Sequence, residues 1–402
     1  MISIFILYMN VVHADIPEVT TGIRYNFKTI PTTFSTIQLE QGFRLRTDIQ
    51  WEEFAVHAAI ADTRIWGSEI TYMLSKDTQA NLYEGYIHLP FGNDNHWIQI
   101  GRQEFVLNNG RYLWDGAWNV YGRSFDGIHI HGEQKNLNWS LAGFVWKNSA
   151  EYTDPENEDK AIQSQGDVLG VGSVKWNWME HMVEPYVLYL YQDPIESDLT
   201  RKRRLYTSGL RVHGNFESIF YDIQGMYQFG QHQIGIQQKA WMGTAKLGMQ
   251  IAQSKFALYF EQNSGDNTTD DKVNSNPETF AGRLHGLRGW ADMIGDVNSR
   301  DMAVQFSTPA HKKLDIIIHN HMFQLSDPEG NWYTFNNKIQ GEGIVGNTDP
   351  NIGYEFDSVF NYKPYKGLQC KFGYSLFIPT GTVGKTYSEV RHFPYIWLVL
   401  DR

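Results

Sequence analysis

The segment Ile219-Phe-Tyr-Asp-Ile-Gln-Gly-Met-Tyr-Gln-Phe229 alternates in character. Ile219, Tyr221, Ile223, Tyr227 and Phe229 share one parity, and Asp222, Gln224 and Gln228 the other. Successive side chains of a strand point to opposite faces, so this is a strand with one greasy and one wet side. The same split separates Trp241, Ala245, Leu247, Met249 and Ile251 from Thr244, Lys246 and Gln250. Near the C-terminus Ile352, Tyr354, Phe356 and Phe360 oppose Glu355, Asp357 and Asn361. Runs of ~10 residues exceed the usual soluble strand of five or six and match the ~9 to 11 that cross a bilayer.

The connections are organised too. Compact turns near Pro90 to Asn95, Glu133 to Asn136, Asn177 to His181, Gly214 to Glu217, Ala252 to Ser254, Pro309 to Lys312 and Lys363 to Lys366 alternate with long polar stretches. The long stretches are Gly67 to Gln79, Asn108 to Gly122, Asn148 to Asp167, Asp193 to Arg204, Asn263 to Ser299, Ser326 to Pro350 and Pro379 to Arg391. An up-and-down barrel with short turns on one rim and long loops on the other has this rhythm. The fold class expected is all-β: a transmembrane antiparallel up-and-down β-barrel of about 18 strands, forming a single domain over residues 15–402.

Composition agrees. The 402 residues are 42% apolar and 14% aromatic, with 36 Gly, which favours strands and tight turns. No apolar run reaches the ~18 to 20 residues of a spanning helix. A net charge of −11 gives no footprint for nucleic acid. Cys370 stands alone, which excludes an intramolecular disulfide or a cysteine zinc cluster. Residues 1–14, apolar from Met1 to Met9 and ending Val12-His-Ala14, read as a signal peptide.

The block Gly101-Arg-Gln-Glu-Phe-Val-Leu-Asn-Asn-Gly-Arg-Tyr-Leu-Trp114, with Trp118 and Gly122-Arg-Ser-Phe-Asp-Gly127, resembles the alginate export family of outer-membrane barrels. Similarity extends to Asp62-Thr-Arg-Ile-Trp-Gly67, Asn81-Leu-Tyr-Glu-Gly-Tyr86 and His285-Gly-Leu-Arg-Gly-Trp-Ala-Asp292. The resemblance implies a porin-like barrel in a Gram-negative outer membrane, whose charged lumen passes an anionic polysaccharide or smaller anionic solutes. The expected partners are outer-membrane lipid, lipopolysaccharide and the barrel assembly machinery, together with a secretion or surface complex.

Assigning aromatic and aliphatic side chains to lipid gives the lumen by parity. The pore-lining set is Arg44, Arg46, Asp62, Arg64, Arg102, Glu104, Arg111, Arg123, Asp126, Arg211, Lys246, Glu355 and Asp357. Charged rings set ion selectivity, and the arginine fork suits carboxylates. Arg102, Glu104, Arg123 and Asp126 fit equally an ion-pair network bracing the wall. Arg111 with Tyr112, Trp114 and Trp118 suggests an inward-folded constriction, while an interface girdle also accounts for the three aromatics.

His129-Ile-His131 and His319-Asn-His321 each place two imidazoles on one face, a metal chelate only if a neighbour supplies a third ligand. Asp266 to Asp271 lacks the spacing of a calcium loop. Arg201-Lys-Arg-Arg204 in an outward loop suits lipopolysaccharide phosphates. No cofactor motif, nucleophile elbow, phosphate loop or zinc-protease motif occurs, so no enzyme activity is expected. Two alternatives stand beside the channel: a secreted carbohydrate-active β-protein, and a plugged barrel whose surface loops bind ligands.

Overall fold

The computed structural model describes residues 17–402 except 34–35, 67–68, 72–73, 76–78, 93–94, 147–166, 194–201, 268–271, 284, 336–337 and 382–388. The segment read as a signal peptide lies outside the described residues. Eighteen antiparallel strands form one closed sheet. The first six are β1 Glu18–Thr33, β2 Thr36–Gln50, β3 Ala55–Ile65, β4 Gln79–Pro90, β5 Trp97–Gln103 and β6 Phe125–Gln134. Next come β7 Leu137–Val145, β8 Val168–Trp178, β9 His181–Gln192, β10 Arg203–Phe216, β11 Ile219–Gln233 and β12 Ile236–Ile251. The last are β13 Ser254–Asn263, β14 Ser299–His311, β15 Leu314–Leu325, β16 Asn351–Tyr365, β17 Leu368–Pro379 and β18 Arg391–Asp401. Each strand pairs with its neighbours in sequence, and β18 closes on β1 from Arg24↔Asp401 to Thr29↔Ile396. Closure leaves no sheet edge, which is the condition for a sheet to cross lipid.

Alternation sets the outer face. Ile23, Leu45, Ile60, Ile223, Leu247 and Leu258 are exposed and form part of the apolar belt. Outward aromatics gather at both rims: Tyr189, Tyr206 and Phe229 in ring contact near the loops, Trp176, Trp178 and Phe216 near the turns. Amphipathic rings hold such positions at membrane interfaces. No helix among the described residues is long and apolar enough to cross a membrane.

The short-turn rim matches the sequence rhythm. On the other rim, Thr33 of β1 pairs with Thr36 of β2, and a two-residue turn, Ile234–Gly235, joins β11 and β12. Gly235 supplies the positive φ (+82°) that such a hairpin turn requires. The polarity of the inner face also departs from expectation. Leu188, Leu190, Leu205, Phe323, Phe393, Tyr395 and Trp397 point inward and are buried. They pack under two loops that fold into the barrel, so apolar parity does not mark lipid contact on these strands.

Candidate constriction of the lumen

The loops are 104–124, after β5, and 264–298, between β13 and β14. They meet inside. Leu113 bridges Leu107 within its own loop and Ala281 of the other, and Arg283 N–H donates to the Gly110 carbonyl at 2.7 Å. One apolar cluster seats Leu107, Tyr112, Leu113 and Ala281 against Phe144, Leu169, Tyr186, Leu188, Leu190, Leu205, Met226 and Met242 of the wall. A second seats Trp118, Trp290, Met293 and Ile294 against Phe323, Ile352, Phe377, Phe393, Tyr395 and Trp397. Trp118 stacks on His285 with centroids 3.5 Å apart and meets Trp290, Tyr395 and Trp397 edge-on. Tyr112 and Trp118 thus belong to the inward constriction, and the girdle reading does not hold for them.

Between the clusters lies a buried charge network. Arg111 reaches Glu261 of β13 at 2.8 Å and Asp296 at 3.4 Å. Arg288 lies 3.5 Å from Glu261 and 3.4 Å from Asp296. Burial alone lowers the Arg111 guanidinium, but Glu261, Tyr259 and Asp296 outweigh it and hold Arg111 well above its usual value. Burial, then the Glu261 charge, pushes Asp296 up to about 7.

The β1–β4 wall forms a second network. Arg44 points inward, 3.1 Å from Glu104, and its guanidinium covers the Tyr83 ring at 3.6 Å. Tyr83 occupies a bulge, because Ala59 pairs with Glu84 while Ile60 pairs with Leu82. The bulge lets adjacent Tyr83 and Glu84 both turn inward: Tyr83 Oη donates to Glu104 at 2.6 Å, and Glu84 accepts from Glu104 N–H at 3.1 Å. Gly122 (φ +64°) packs against Arg44 and Tyr83, where any Cβ would strike the guanidinium and the phenol. Lys28 pairs with Glu40 at 3.0 Å, and Arg46 with Asp401 at 2.8 Å.

Nine of the expected lumen residues face inward or lie in the constriction: Arg44, Arg46, Glu104, Arg111, Arg123, Arg211, Lys246, Glu355 and Asp357. Arg211 pairs with Asp222 at 2.7 Å, and Lys246 sits opposite Asp222 in the ladder. Four face outward instead. Asp62 lies opposite outward Phe43, and Arg64, opposite Gln41, pairs with Asp62 at 2.9 Å. The run Ala58-Ala-Ile-Ala61 puts small apolar residues on both faces, which erases the parity signal of β3. Arg102 and Asp126 stand opposite each other, 3.2 Å apart, on the face that carries Ile100 and Ile128. They sit at the loop end of the belt, where outward charge meets the polar interface and costs little. Glu104 escapes this parity because the chain leaves the sheet after Gln103.

Arg123, Arg283 and Lys371 are half-buried lumen cations without a carboxylate ion pair among the described residues. Arg123 donates to the Ala281 carbonyl, Arg283 lies 5.7 Å from the Trp114 ring and Lys371 4.3 Å from the Trp397 ring. Burial lowers both guanidinium groups below the usual arginine value, with Asp115 offsetting it only partly. Arg283 and Arg288 were absent from the expected set because they sit in a loop, where strand parity has nothing to say. Of the basic run at 201–204, Arg203 turns toward Glu278 at 3.3 Å, while Arg204 faces outward beside the Tyr191 ring. Asp266 accepts from Ser275 N–H at 2.8 Å, a turn contact.

Constriction seating is expected to depend on pH through His285. Burial holds its imidazole below the ordinary value, against the pull of Asp292, whose Oδ1 lies 2.8 Å from Nδ1. Lys28 and Arg283 add to the lowering. A histidine kept neutral contributes seating stability that is present above about pH 6.5 and lost as pH falls toward the depressed value. Brief current fluctuations should therefore multiply between about pH 7 and pH 5, and His285→Gln should flatten that dependence in single-channel records.

The sequence matches the alginate export family model over residues 38–396. No curated protein matches it. Solved structures of similar fold include the outer membrane protein OpdK of Pseudomonas aeruginosa, at 12% identity and TM-score 0.65, covering 96% of this chain and 98% of that one. OccD3 (OpdP) of the same organism gives 13% identity and TM-score 0.65, with 95% and 91% covered. OccK5 (OpdH) gives 10% and 0.63, with 96% and 97% covered. With a closed 18-strand wall, an apolar outer belt and a family match over nearly the whole length, the chain belongs to the alginate export family of outer-membrane β-barrels.

Proposed function

We propose that the barrel is a channel for hydrophilic, anionic solutes, the uronate-rich glycans of the family name or smaller carboxylates, and that it catalyses no reaction. The observation that carries this reading is the set of half-buried lumen cations, Arg123, Arg283 and Lys371, that have no carboxylate ion pair among the described residues, with Arg283 beside the half-buried Trp114 ring. Paired charges such as Arg44–Glu104 brace the wall and present no net charge to a solute. Cations left partly desolvated attract a passing carboxylate and release it again, since Asp115 offsets the desolvation of Arg123 and Arg283 only in part. Lipid and lipopolysaccharide surround the belt, and delivery by the barrel assembly machinery and membership of a secretion or surface complex belong to the same reading.

The triple variant Arg123→Gln, Arg283→Gln, Lys371→Gln is expected to shift the reversal potential in a salt gradient toward cation selectivity. An alginate oligomer should block the parent channel and block the variant less. Reversal potentials identical in the two would sink the anion reading. A second reading, a plugged barrel with ligand-binding loops, is favoured by the depth to which both loops fill the lumen. A detergent-soluble barrel silent in the bilayer would select it.

A further inference from the structure

Midway along β15 and β16, three side chains converge inside the barrel: His319, His321 and Asp357. One ligand atom from each lies within 4.8 Å of the others. The arrangement follows from strand geometry. Residues two apart share a face, so His319 and His321 both point inward, and the register sets Asp357 directly opposite His319.

The cluster has donor atoms to spare. His319 Nδ1 and His321 Nε2 are buried and make no hydrogen bond among the described residues, and the buried Asp357 carboxylate faces Ser375 and Glu355 as well as His321. The His321 and Asp357 side chains are at most 1% exposed. His321 Nδ1 lies 2.9 and 3.0 Å from the two oxygens of Asp301 on β14. That contact places the proton on Nδ1 and leaves the Nε2 lone pair facing Asp357 Oδ2, 3.7 Å away. A carboxylate behind an imidazole orients and strengthens metal-binding histidines in just this way.

Charge points the same way. Asp301, Glu355 and Asp357 are all buried, and none has a Lys or Arg ion pair among the described residues. Arg288 is engaged by Glu261 and Asp296 instead. His321 lies against Asp301 and Asp357, and the Trp290 and Ala291 N–H groups donate to Glu355, but three carboxylates with no Lys or Arg pair in a desolvated site still favour a bound cation.

We propose that His319, His321 and Asp357 bind a divalent first-row transition metal, with Zn²⁺ the best match to two imidazoles and a carboxylate. Zn–N and Zn–O bonds of about 2.0 to 2.2 Å draw the three groups inward by about an ångström or less. His319 also lines a cavity of about 320 Å³ with Asp222, Lys246 and Gln305, which supplies an entry path and a water for the fourth position. The other pair, His129 and His131, shares the Ser140 hydroxyl at 3.1 and 3.3 Å and gains no third ligand among the described residues.

The test is titration of the chelator-treated, detergent-purified barrel with Co²⁺, whose visible d–d absorption reports its ligand geometry. One equivalent should bind with a tetrahedral spectrum, and Zn²⁺ should displace it. His319→Gln and Asp357→Asn should abolish that spectrum, and Asp301→Asn should weaken binding about 10-fold while keeping it. His319 is the least buried ligand, so His319→Gln tests the site even if variants at His321 fail to assemble; heat-resistant migration of the barrel on gels reports assembly. No spectrum in the parent protein, or an unchanged one in assembled His319→Gln, would overturn the proposal. The former result would show the buried carboxylates compensated by shared protons instead. The readout uses no solute and stands or falls independently of the transport reading.

Discussion

Arg111→Met is expected to unseat the constriction and raise single-channel conductance several-fold. Arg111 is 2% exposed and is one of two guanidinium groups held between Glu261 and Asp296. Methionine fills similar volume and removes the charge. Two carboxylates then share Arg288 alone, and breaking a buried pair by deleting one partner costs about 3–5 kcal/mol. The wall does not depend on Arg111, since its ladders are backbone bonds between neighbouring strands. The penalty therefore falls on loop 104–124, which leaves the lumen while the barrel stays assembled. Planar-bilayer conductance and protease sensitivity of the loop are the measurements. Conductance equal to the parent, with the loop still protected, would show that the apolar contacts alone seat it.

Trp118→Ala should produce a comparable release at the second apolar cluster. Trp118 is 7% exposed and packs among His285, Trp290, Tyr395 and Trp397, with the Lys28 ammonium 4.5 Å from its ring. Truncating a buried tryptophan to alanine costs about 3–5 kcal/mol, and the surrounding rings belong to a rigid wall that cannot collapse into the gap. Trp118→Phe should retain most of the seating. If Trp118→Ala and Arg111→Met act on one cooperative unit, the double variant should conduct no more than either single one.

The wall was legible because its physics is local. Alternation at 219–229, 241–251 and 352–361 and the turn spacing together imply about 18 strands, the number found. The lumen was legible only in part. Parity separates two faces, but naming the inner one assumes that apolar means lipid, and that fails where loops pack against the inner wall, as at Leu188, Phe323 and Tyr395. Asp62 and Arg64 were misplaced by an alanine run without parity, and Arg102 and Asp126 by their nearness to the rim. The bulge that turns Tyr83 inward depends on pairing with β3, and Arg283 depends on a tertiary loop fold. Neither leaves a periodic trace. The inward turn of loop 104–124 did leave one, in Arg111 with its aromatics.

The two loops that fill the lumen also bear on the order in which the molecule is built. Apart from the seam between β1 and β18 and a two-residue parallel pairing of Gln237–Gln238 with Val273–Asn274, the wall ladders join strands consecutive in the chain. The constriction instead joins Arg123 to Ala281 across 158 residues and Arg111 to Asp296 across 185. Closing long segments carries an entropic cost that must be met before their contacts reward it, so such contacts form late. A nascent barrel is thus expected to pass through a wide, leaky stage before it narrows, and slow seating would expose the envelope to that leak.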